Sequence, residues 1–320
     1  MLTESLNLVS TKDGEQIAVW KVFDSLKDSP TANNTANGQN VLLTHGTFSD
    51  KKVCLGIAGY LAKLGHTCYI MEWRGHGTSS IPKNKFNFET IALYDFDATF
   101  RYLFDELKLD NLHCVTHSGG GICLTMFFIQ KLLTQDKQYI NKINSISMFA
   151  CQAYGAALNR KSHAKILLTK SITRMLGFLP AKPFKLGTVN ESYHTMTQWY
   201  DWNLNKNFKS SLAMQDSNRQ NIQASDQACN DTKDFDYRQQ MSKIKAPIYA
   251  ISAKGDHFIA PDSGCQLFLN DFDNPANDFR EFSISNGDLE NYSHSRIIMS
   301  RNAATEIWPT VAAWIDKHSH

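Results

Sequence analysis

One short run, VTHSGGG at residues 115–121, constrains the fold of this chain more than any other part of its sequence. An apolar stretch leads directly into Ser118, and three glycines then open an apolar helical pattern over residues 122–133. A strand, a sharp turn with serine at its tip and a buried helix would hold the hydroxyl at the positive end of the helix, where an oxyanion is stabilised. A glycine at position 120 suits this turn, because the strained backbone at the serine needs small neighbours and the helix must pack closely.

Taken alone, this run is also compatible with two simpler structures. The strict nucleophile pattern is G-x-S-x-G, and Thr116 stands at its first small position. A plain glycine-rich turn between a strand and a helix has the same composition, and so does a turn that binds phosphate. The rest of the chain therefore decides whether Ser118 is a nucleophile.

Strand-like and helix-like segments alternate along most of the chain. A β-hairpin is predicted over residues 6–23 around Asp13-Gly14, followed by a polar surface loop over 24–39. We predict strands over 40–44, 67–73, 112–116, 143–150, 246–251 and 279–284, and helices over 53–64, 88–109, 122–133 and 261–270. This alternation predicts an α/β fold with a mostly parallel central sheet flanked by helices. Ligands of such sheets bind beyond the carboxyl ends of the strands, where Ser118 lies.

The regular alternation stops after about residue 152 and resumes near residue 240. Between these points the patterns predict helices over 162–176 and 193–202, polar loops and no convincing strand. We therefore predict a core formed by residues 1–152 and 240–320, interrupted by a helical cap or lid at 153–239. An insertion placed over the strand ends would cover the site.

Five motifs resemble those of the α/β-hydrolases and follow in the same order as in that family. They are THGTF at 44–48, EWRGHGTS at 72–79, the turn around Ser118, AKGDHFIAP at 253–261 and YSHS at 292–295. Glu72 stands where the family has an aspartate. The resemblance covers roughly residues 5–152 and 240–318, and it implies the α/β-hydrolase fold.

The resemblance implies a catalytic triad of Ser118, Asp256 and His294, in the chain order that this fold uses. A histidine takes the proton of the serine hydroxyl as it attacks, and a carboxylate fixes the tautomer of that histidine. Asp256 has a second interpretation, as the cap of the helix that follows it. Glu290 and Asp288 are closer to His294 in sequence, but carboxylates in loops are usually solvated.

The same resemblance implies an oxyanion hole made of two backbone N–H groups. One is that of Gly119, directly after the serine, and the other is that of Thr47, with Phe48 as the alternative donor. Both would stabilise the negative charge that develops on a carbonyl oxygen during attack.

Four side chains are candidates for substrate binding: Phe48, His117, Trp199 and Trp202. The two tryptophans belong to the predicted cap, where aromatic and methionine side chains over the site would favour an apolar acyl chain. They fit equally well as a small hydrophobic core of the cap itself. His117 belongs to a motif turn and is either structural or pocket-lining.

Composition excludes several other classes of protein. A net charge of +2 without a basic stripe argues against a nucleic-acid partner. No apolar run approaches the roughly 20 residues of a membrane span, so stable membrane insertion is not expected. The first residues lack the basic and apolar regions of a signal peptide, and the seven cysteines include no C-x-x-C pair. We therefore expect a cytoplasmic protein with reduced, buried cysteines.

Motifs for metals, cofactors and phosphates are missing from the sequence. Neither H-E-x-x-H nor the H-x-H-x-D-H pattern of metal-dependent lactonases occurs, so no metal and no cofactor is expected. The stretch around Arg74 lacks the lysine of a phosphate-binding loop. In the resembled family it is a structural turn, and the arginine pairs with a carboxylate.

These observations predict a metal-independent serine hydrolase that cleaves carboxylic esters or lactones with apolar acyl chains. An N-acyl homoserine lactone is one candidate for its small-molecule substrate. A lipase-like or thioesterase-like enzyme and an amide hydrolase would use the same triad. A hydrolase-fold protein that only binds its ligand is the alternative outside the enzymes. The sequence leaves the acyl length and the oligomeric state open.

Overall fold

A computed structural model describes residues 1–26, 38–184, 186–211 and 235–319. The predicted hairpin is formed by β1 (Leu2–Ser10) and β2 (Gln16–Asp24), which pair antiparallel. Most of the predicted surface loop over 24–39, and one of the seven cysteines, Cys229, lie outside the described residues. The other six cysteines are buried free thiols.

The central sheet has eight strands in the order β1-β2-β4-β3-β5-β6-β9-β10. All pairs except β1–β2 and β2–β4 are parallel, which confirms the mostly parallel α/β sheet. Its remaining strands are β3 (Asn40–Thr44), β4 (Thr67–Met71), β5 (Leu112–His117), β6 (Ile143–Phe149), β9 (Ile248–Ala253) and β10 (Asp278–Phe282). Strand β5, near the middle, is buried at every residue, as a parallel strand covered on both faces should be.

Helices cover both faces of this sheet. One face packs against α1 (Lys52–Leu64) and the last helix, α9 (Trp308–Lys317). The other face packs against the helical run α2 (88–106) and α3 (Gly119–Leu133). The shorter helices of the second half are α6 (Asp262–Asn270), α7 (Arg296–Met299) and α8 (Arg301–Glu306).

The run α2 differs from the regular helix that the sequence predicts. Asn87 caps it as expected, since its side chain accepts the Thr90 N–H and the Thr90 hydroxyl accepts the Asn87 N–H. Beyond Phe88–Thr90, however, the run contains π-helical turns at Ile91–Phe96 and Tyr102–Glu106 on either side of α-helical Asp97–Arg101. A π turn adds one residue without interrupting the apolar stripe, so a 3.6-residue period does not reveal it.

Between β6 and β9 the chain forms two helices where the sequence predicts them. They are α4 (Arg160–Leu176) and α5 (Tyr193–Asn205). A short hairpin of β7 (Phe178–Leu179) and β8 (Glu191–Ser192) joins them, which the sequence did not predict because two-residue strands are too short to show an alternation. We refer to residues 153–239 as the inserted segment. None of the helices in the described ranges has the length and apolarity needed to cross a bilayer.

Candidate active site

Ser118 lies at the turn between β5 and α3, in a backbone conformation that residues other than glycine rarely adopt, with φ +53° and ψ −124°. Its N–H donates to the Phe149 carbonyl at 2.8 Å, and α3 begins at the next residue. The turn leaves no space for larger neighbours. A Cβ on Gly46 would lie 2.6 Å from Ser118 Cβ, and one on Gly120 would lie 2.7 Å from the His45 carbonyl oxygen. The serine is therefore held by close backbone packing on both sides.

The three residues of the predicted triad lie within hydrogen-bonding distance of one another. His294 Nδ1 is 2.6 Å from Asp256 Oδ2, and His294 Nε2 is 2.9 Å from Ser118 Oγ. A carboxylate only accepts, so Nδ1–H donates to Asp256 and Nε2 accepts the serine O–H. This tautomer suits removal of the serine proton.

Asp256 is buried in a turn of backbone donors. Its Oδ1 accepts the N–H groups of Phe258 and Ile259 at 3.3 and 3.0 Å, and its Oδ2 accepts that of Ala260 at 3.0 Å. Burial alone would raise the pKa of this carboxyl. His294 and the backbone donors outweigh that effect and hold the pKa of Asp256 below its ordinary value. The carboxylate stabilises the turn ahead of α6, whose own N-cap is Pro261.

His117 supports the loop that carries His294. Its Nε2–H donates to the His294 carbonyl at 2.9 Å, and the two rings lie 4.8 Å apart. Burial, with a smaller contribution from His294, lowers the pKa of His117 to about 3, so the ring is neutral. His117 does not line the cavity described below. Of the two predicted roles of His117, this contact favours the structural one.

The turn at residues 46–49 lies beside Ser118, and we name it the oxyanion turn. Thr47 and Gly119 both line the cavity at the serine, as the predicted pair of donors requires. The alternative donor, Phe48, is engaged elsewhere because its N–H donates to Glu191 Oε1 at 3.0 Å. Sequence reasoning missed Glu191, which no motif marks and which comes from the inserted segment, 143 residues further along the chain.

A cavity of about 490 Å³, including its open mouth, extends from Ser118 between the core and the inserted segment. Among the described residues, no Asp, Glu, Lys or Arg lines it, and Gln152 is already hydrogen-bonded to the Ile259 carbonyl and the Gly155 N–H. The apolar lining is formed by Phe48, Phe88, Ile122, Ala150, Leu179, Leu186, Met196, Trp199, Phe258, Ile259 and Ala260.

The two candidate tryptophans of α5 have different surroundings. Trp199 lines the cavity, as does Phe48. Trp202 does not, because its indole N–H donates to the Lys209 carbonyl at 2.7 Å and its ring packs against Phe88 and Phe208. Trp202 therefore packs in the hydrophobic core that α2 shares with the inserted segment.

In the described parts of the chain, other charged and metal-ligating side chains do not converge on the cavity. The Arg74 guanidinium pairs with Asp95 at 2.6 Å and with Asp13 at 2.6 Å. Within the described ranges, no group of three or more His, Cys, Asp or Glu side chains is arranged to hold a metal ion.

Comparisons with known proteins give a consistent result for the family. The sequence profile of the alpha/beta hydrolase fold matches residues 39–282. A search of curated protein sequences found no match. Among solved structures, the chain is similar to the Pyrococcus furiosus esterase Pf2001, with a TM-score of 0.61, 15% identity, and coverage of 100% of this chain and 92% of that one.

Two further solved structures have the same fold at similarly low identity. Alpha/beta hydrolase domain-containing protein 10 from mouse gives a TM-score of 0.61 at 14% identity, covering 98% of this chain and 99% of that one. Est816, described as an N-acyl homoserine lactone degrading enzyme, gives 0.55 at 15% identity, covering 96% and 99%. With the profile matching more than half of its residues, the chain belongs to the alpha/beta hydrolase fold family.

Proposed function

We propose that the protein is a metal-independent serine hydrolase that cleaves carboxylic esters or lactones with apolar acyl chains. The observation that carries this proposal is the chain of hydrogen bonds from Asp256 through His294 to Ser118, at 2.6 and 2.9 Å, at the end of an apolar cavity. A neutral imidazole between a carboxylate and a serine hydroxyl is the arrangement that activates serine for attack.

In the proposed reaction, Ser118 Oγ attacks the substrate carbonyl while its proton passes to His294 Nε2. The resulting oxyanion accepts hydrogen bonds from the Thr47 and Gly119 N–H groups. His294 then protonates the leaving alcohol, and an acyl-enzyme remains on Ser118. A water that gives its proton to His294 attacks this ester, and the acid is released as the serine recovers its proton.

The cavity supports an apolar acyl group as the part of the substrate that is recognised. Because no charged side chain lines it in the described parts of the chain, a carboxylate or ammonium on the acyl chain would lose its hydration without gaining a partner there. Lactones are included because a cyclic ester presents the same carbonyl, and the fold is shared with Est816. N-acyl homoserine lactones combine that carbonyl with an apolar acyl chain.

The test is hydrolysis of nitrophenyl esters and N-acyl homoserine lactones of graded acyl length by wild type and Ser118→Ala, with a chelator present throughout. We expect turnover by wild type to persist in chelator and to fall at least about 10³-fold in Ser118→Ala. The acyl-length profile on each series separates an esterase from a lactonase. Equal rates for the two proteins on every substrate would contradict serine catalysis.

A further inference from the structure

The inserted segment engages both the backbone N–H and the backbone carbonyl of Phe48 in the oxyanion turn. The Phe48 N–H donates to Glu191 Oε1 at 3.0 Å. The Phe48 carbonyl accepts the N–H groups of Thr188 and Val189 at 2.8 and 3.1 Å. Phe48 has φ +65°, a left-handed backbone conformation that a residue other than glycine adopts only where the surrounding structure holds it. The conformation of this turn therefore depends on contacts from outside the core.

Glu191 is itself held by a buried histidine. His76 Nε2–H donates to Glu191 Oε1 at 2.8 Å, while Nδ1–H donates to the Arg74 carbonyl at 2.9 Å. Both acceptors lack a hydrogen, so the ring donates from both nitrogens and is an imidazolium. Burial by itself would lower the pKa of His76. The charge of Glu191 and its hydrogen bond to the ring have the larger combined effect and raise that pKa. Glu191 and His76 thus form a buried ion pair next to the turn.

We propose that Glu191 is a positioning residue, which holds the oxyanion turn so that the Thr47 N–H faces the developing oxyanion. The inserted segment then completes the catalytic machinery as well as lining the cavity. This inference rests on the proposed serine-hydrolase function. Catalysis requires that such donors be held in place before the oxyanion forms.

The test compares Glu191→Gln and Glu191→Ala with wild type on a short soluble acetate ester. Removing a donor of this kind lowers kcat by about 10²–10³-fold, so a displaced donor in Glu191→Ala should lower kcat at least tenfold, with KM within threefold. Glu191→Gln keeps an oxygen that accepts the Phe48 N–H, and it should retain more of kcat than Glu191→Ala. Hydrogen exchange over residues 45–52 should be faster in the alanine variant.

Glu89→Gln is the matched control. Glu89 is fully buried and accepts hydrogen bonds from Gln198, Ser211 and Tyr237, so it links α2 to the inserted segment without passing through the oxyanion turn. We expect it to lower the melting temperature but to leave kcat within threefold. Unchanged kcat in Glu191→Ala, or an equal loss of kcat in Glu89→Gln, would overturn the positioning role. If wild type and Ser118→Ala are equally inactive, the proposed function fails instead, and hydrogen exchange alone reports on the contact.

A separate observation concerns the outer surface of the inserted segment. Residues 137–190 contain no Asp or Glu. Between 153 and 190 this part of the chain carries seven cations, although the net charge of the whole protein is only +2. They are Arg160, Lys161, Lys165, Lys170, Arg174, Lys182 and Lys185. Five of these lie on α4.

Helix α4 exposes four large apolar side chains to solvent. Its buried residues, Ile166 and Thr173, lie seven positions apart on the face towards the cavity. On the opposite face, Leu168 is 62% exposed and Met175 is 79% exposed, also seven positions apart. Leu167 and Leu176 are exposed beside them. A surface helix of a globular protein normally turns such residues inward.

Cations flank this exposed apolar face of α4. Within the described ranges, no ion pair involves Arg160, Lys161 or Arg174, while Lys170 pairs with Asp201. Lys165 lies 3.8 Å from the centre of the Phe258 ring. An apolar face bordered by cations matches the surface of an anionic bilayer, which offers hydrocarbon and negative headgroups at once.

We propose that the outer face of α4 docks on the surface of an anionic lipid bilayer. Docking is peripheral, with Leu168 and Met175 entering the headgroup boundary and the flanking cations contacting phosphate groups. It is independent of hydrolase activity and holds whether or not Ser118 is a nucleophile.

The test is sedimentation of the whole protein with vesicles of phosphatidylcholine alone and with 30% phosphatidylglycerol. We expect binding only to the anionic vesicles, and a loss of that binding at high salt. Each cation near such a surface contributes roughly fivefold in affinity, so K161Q/R174Q should bind about 25-fold more weakly. Met175→Ser should weaken binding as well, because it removes an inserting side chain.

Matched controls make the same changes at the opposite end of the sheet. K108Q/K137Q removes two exposed cations, and Leu64→Ser removes a side chain that is 44% exposed at the end of α1. Neither control should change vesicle binding. The proposal is overturned if wild type ignores anionic vesicles, if the controls weaken binding as much as the α4 variants, or if the apolar face instead drives self-association that Met175→Ser abolishes.

Discussion

At the residue scale, the position of the Ser118 hydroxyl depends on strain in its own backbone. A residue other than glycine with positive φ costs of order 1–3 kcal/mol and persists only where neighbouring structure holds it. Here β5 is buried throughout and α3 is buried from Gly119 to Ile129, so both ends of the turn are fixed. The strain directs the hydroxyl towards His294 Nε2 at 2.9 Å.

The role of Asp256 separates catalysis from turn stabilisation. Its carboxylate accepts from three backbone N–H groups and from His294, whereas asparagine offers one acceptor oxygen for the same four donors. We expect Asp256→Asn to lower kcat on the order of 10³–10⁴-fold, because His294 is then no longer held in the tautomer and orientation that accept the serine proton. Steady-state kinetics on a soluble ester measures this.

The control for this prediction is Asp262→Asn, a carboxylate in the first turn of α6 that is half exposed. We expect it to keep kcat within twofold. If Asp256→Asn retains more than a tenth of the wild-type kcat, the carboxylate serves the turn alone and the triad assignment is wrong.

At the scale of elements, the approach of the oxyanion turn to the β5–α3 turn requires a glycine. A Cβ on Gly46 would lie 2.6 Å from Ser118 Cβ and 2.9 Å from the His117 carbonyl oxygen. We expect Gly46→Ala to move the turn and lower kcat about 100-fold, as loss of an oxyanion donor does, with a stability loss of about 1–3 kcal/mol. Kinetics and urea unfolding measure the two effects.

Gly59→Ala in helix α1 is the comparison for that change. The added Cβ would meet only the flexible end of Leu2, at 3.2 Å, and alanine favours a helix. It should leave kcat unchanged and stability equal or higher. A Gly46→Ala protein with wild-type kcat would show that the oxyanion turn tolerates displacement.

The inserted helix α5 should set the acyl length that the cavity admits. Met196 lines the cavity, and tryptophan at this position would fill part of it. Each methylene of the acyl chain that is buried in the cavity contributes about 0.8 kcal/mol to binding. Excluding two of them from the cavity should therefore lower kcat/KM for a long acyl ester roughly 15-fold while leaving an acetate ester unaffected. Met299→Trp, at a 48% exposed position, is the control. Equal losses on both esters would contradict a role in chain length.

At the scale of the whole molecule, buried neutral histidines should make the protein sensitive to mild acid. Burial lowers the pKa of His117 to about 3 and of His113 to about 4, and it holds the pKa of His45 well below its ordinary value. In the unfolded chain a histidine takes up a proton near pH 6.5, whereas these buried rings stay neutral. Below that pH each of them therefore lowers the free energy of unfolding by up to about 1.4 kcal/mol per pH unit. Asp95 has the opposite effect, because burial raises its pKa to about 6. Its protonation in the folded protein increases the free energy of unfolding as the pH falls from 6 to about 4.

The free energy of unfolding in urea, measured at pH 7.5, 6.5 and 5.5, should therefore decrease below pH 6.5. His117→Gln should flatten the decrease by up to about 1.4 kcal/mol per unit. A wild-type stability that is constant from pH 7.5 to 5.5 would contradict this account.

The sequence by itself determined the family, the alternation of strands and helices in the central sheet and its flanking layers, and the residues that meet at the end of β5. Apolar periodicity and turn residues act over a few neighbours, and family motifs mark the positions of Ser118, Asp256 and His294. The tertiary structure alone decided which distant groups touch. Glu191 reaches Phe48 across 143 residues, and no local pattern encodes that contact. The docking of α5 likewise decided that Trp199 lines the cavity while Trp202, less than one turn further on, packs in the core.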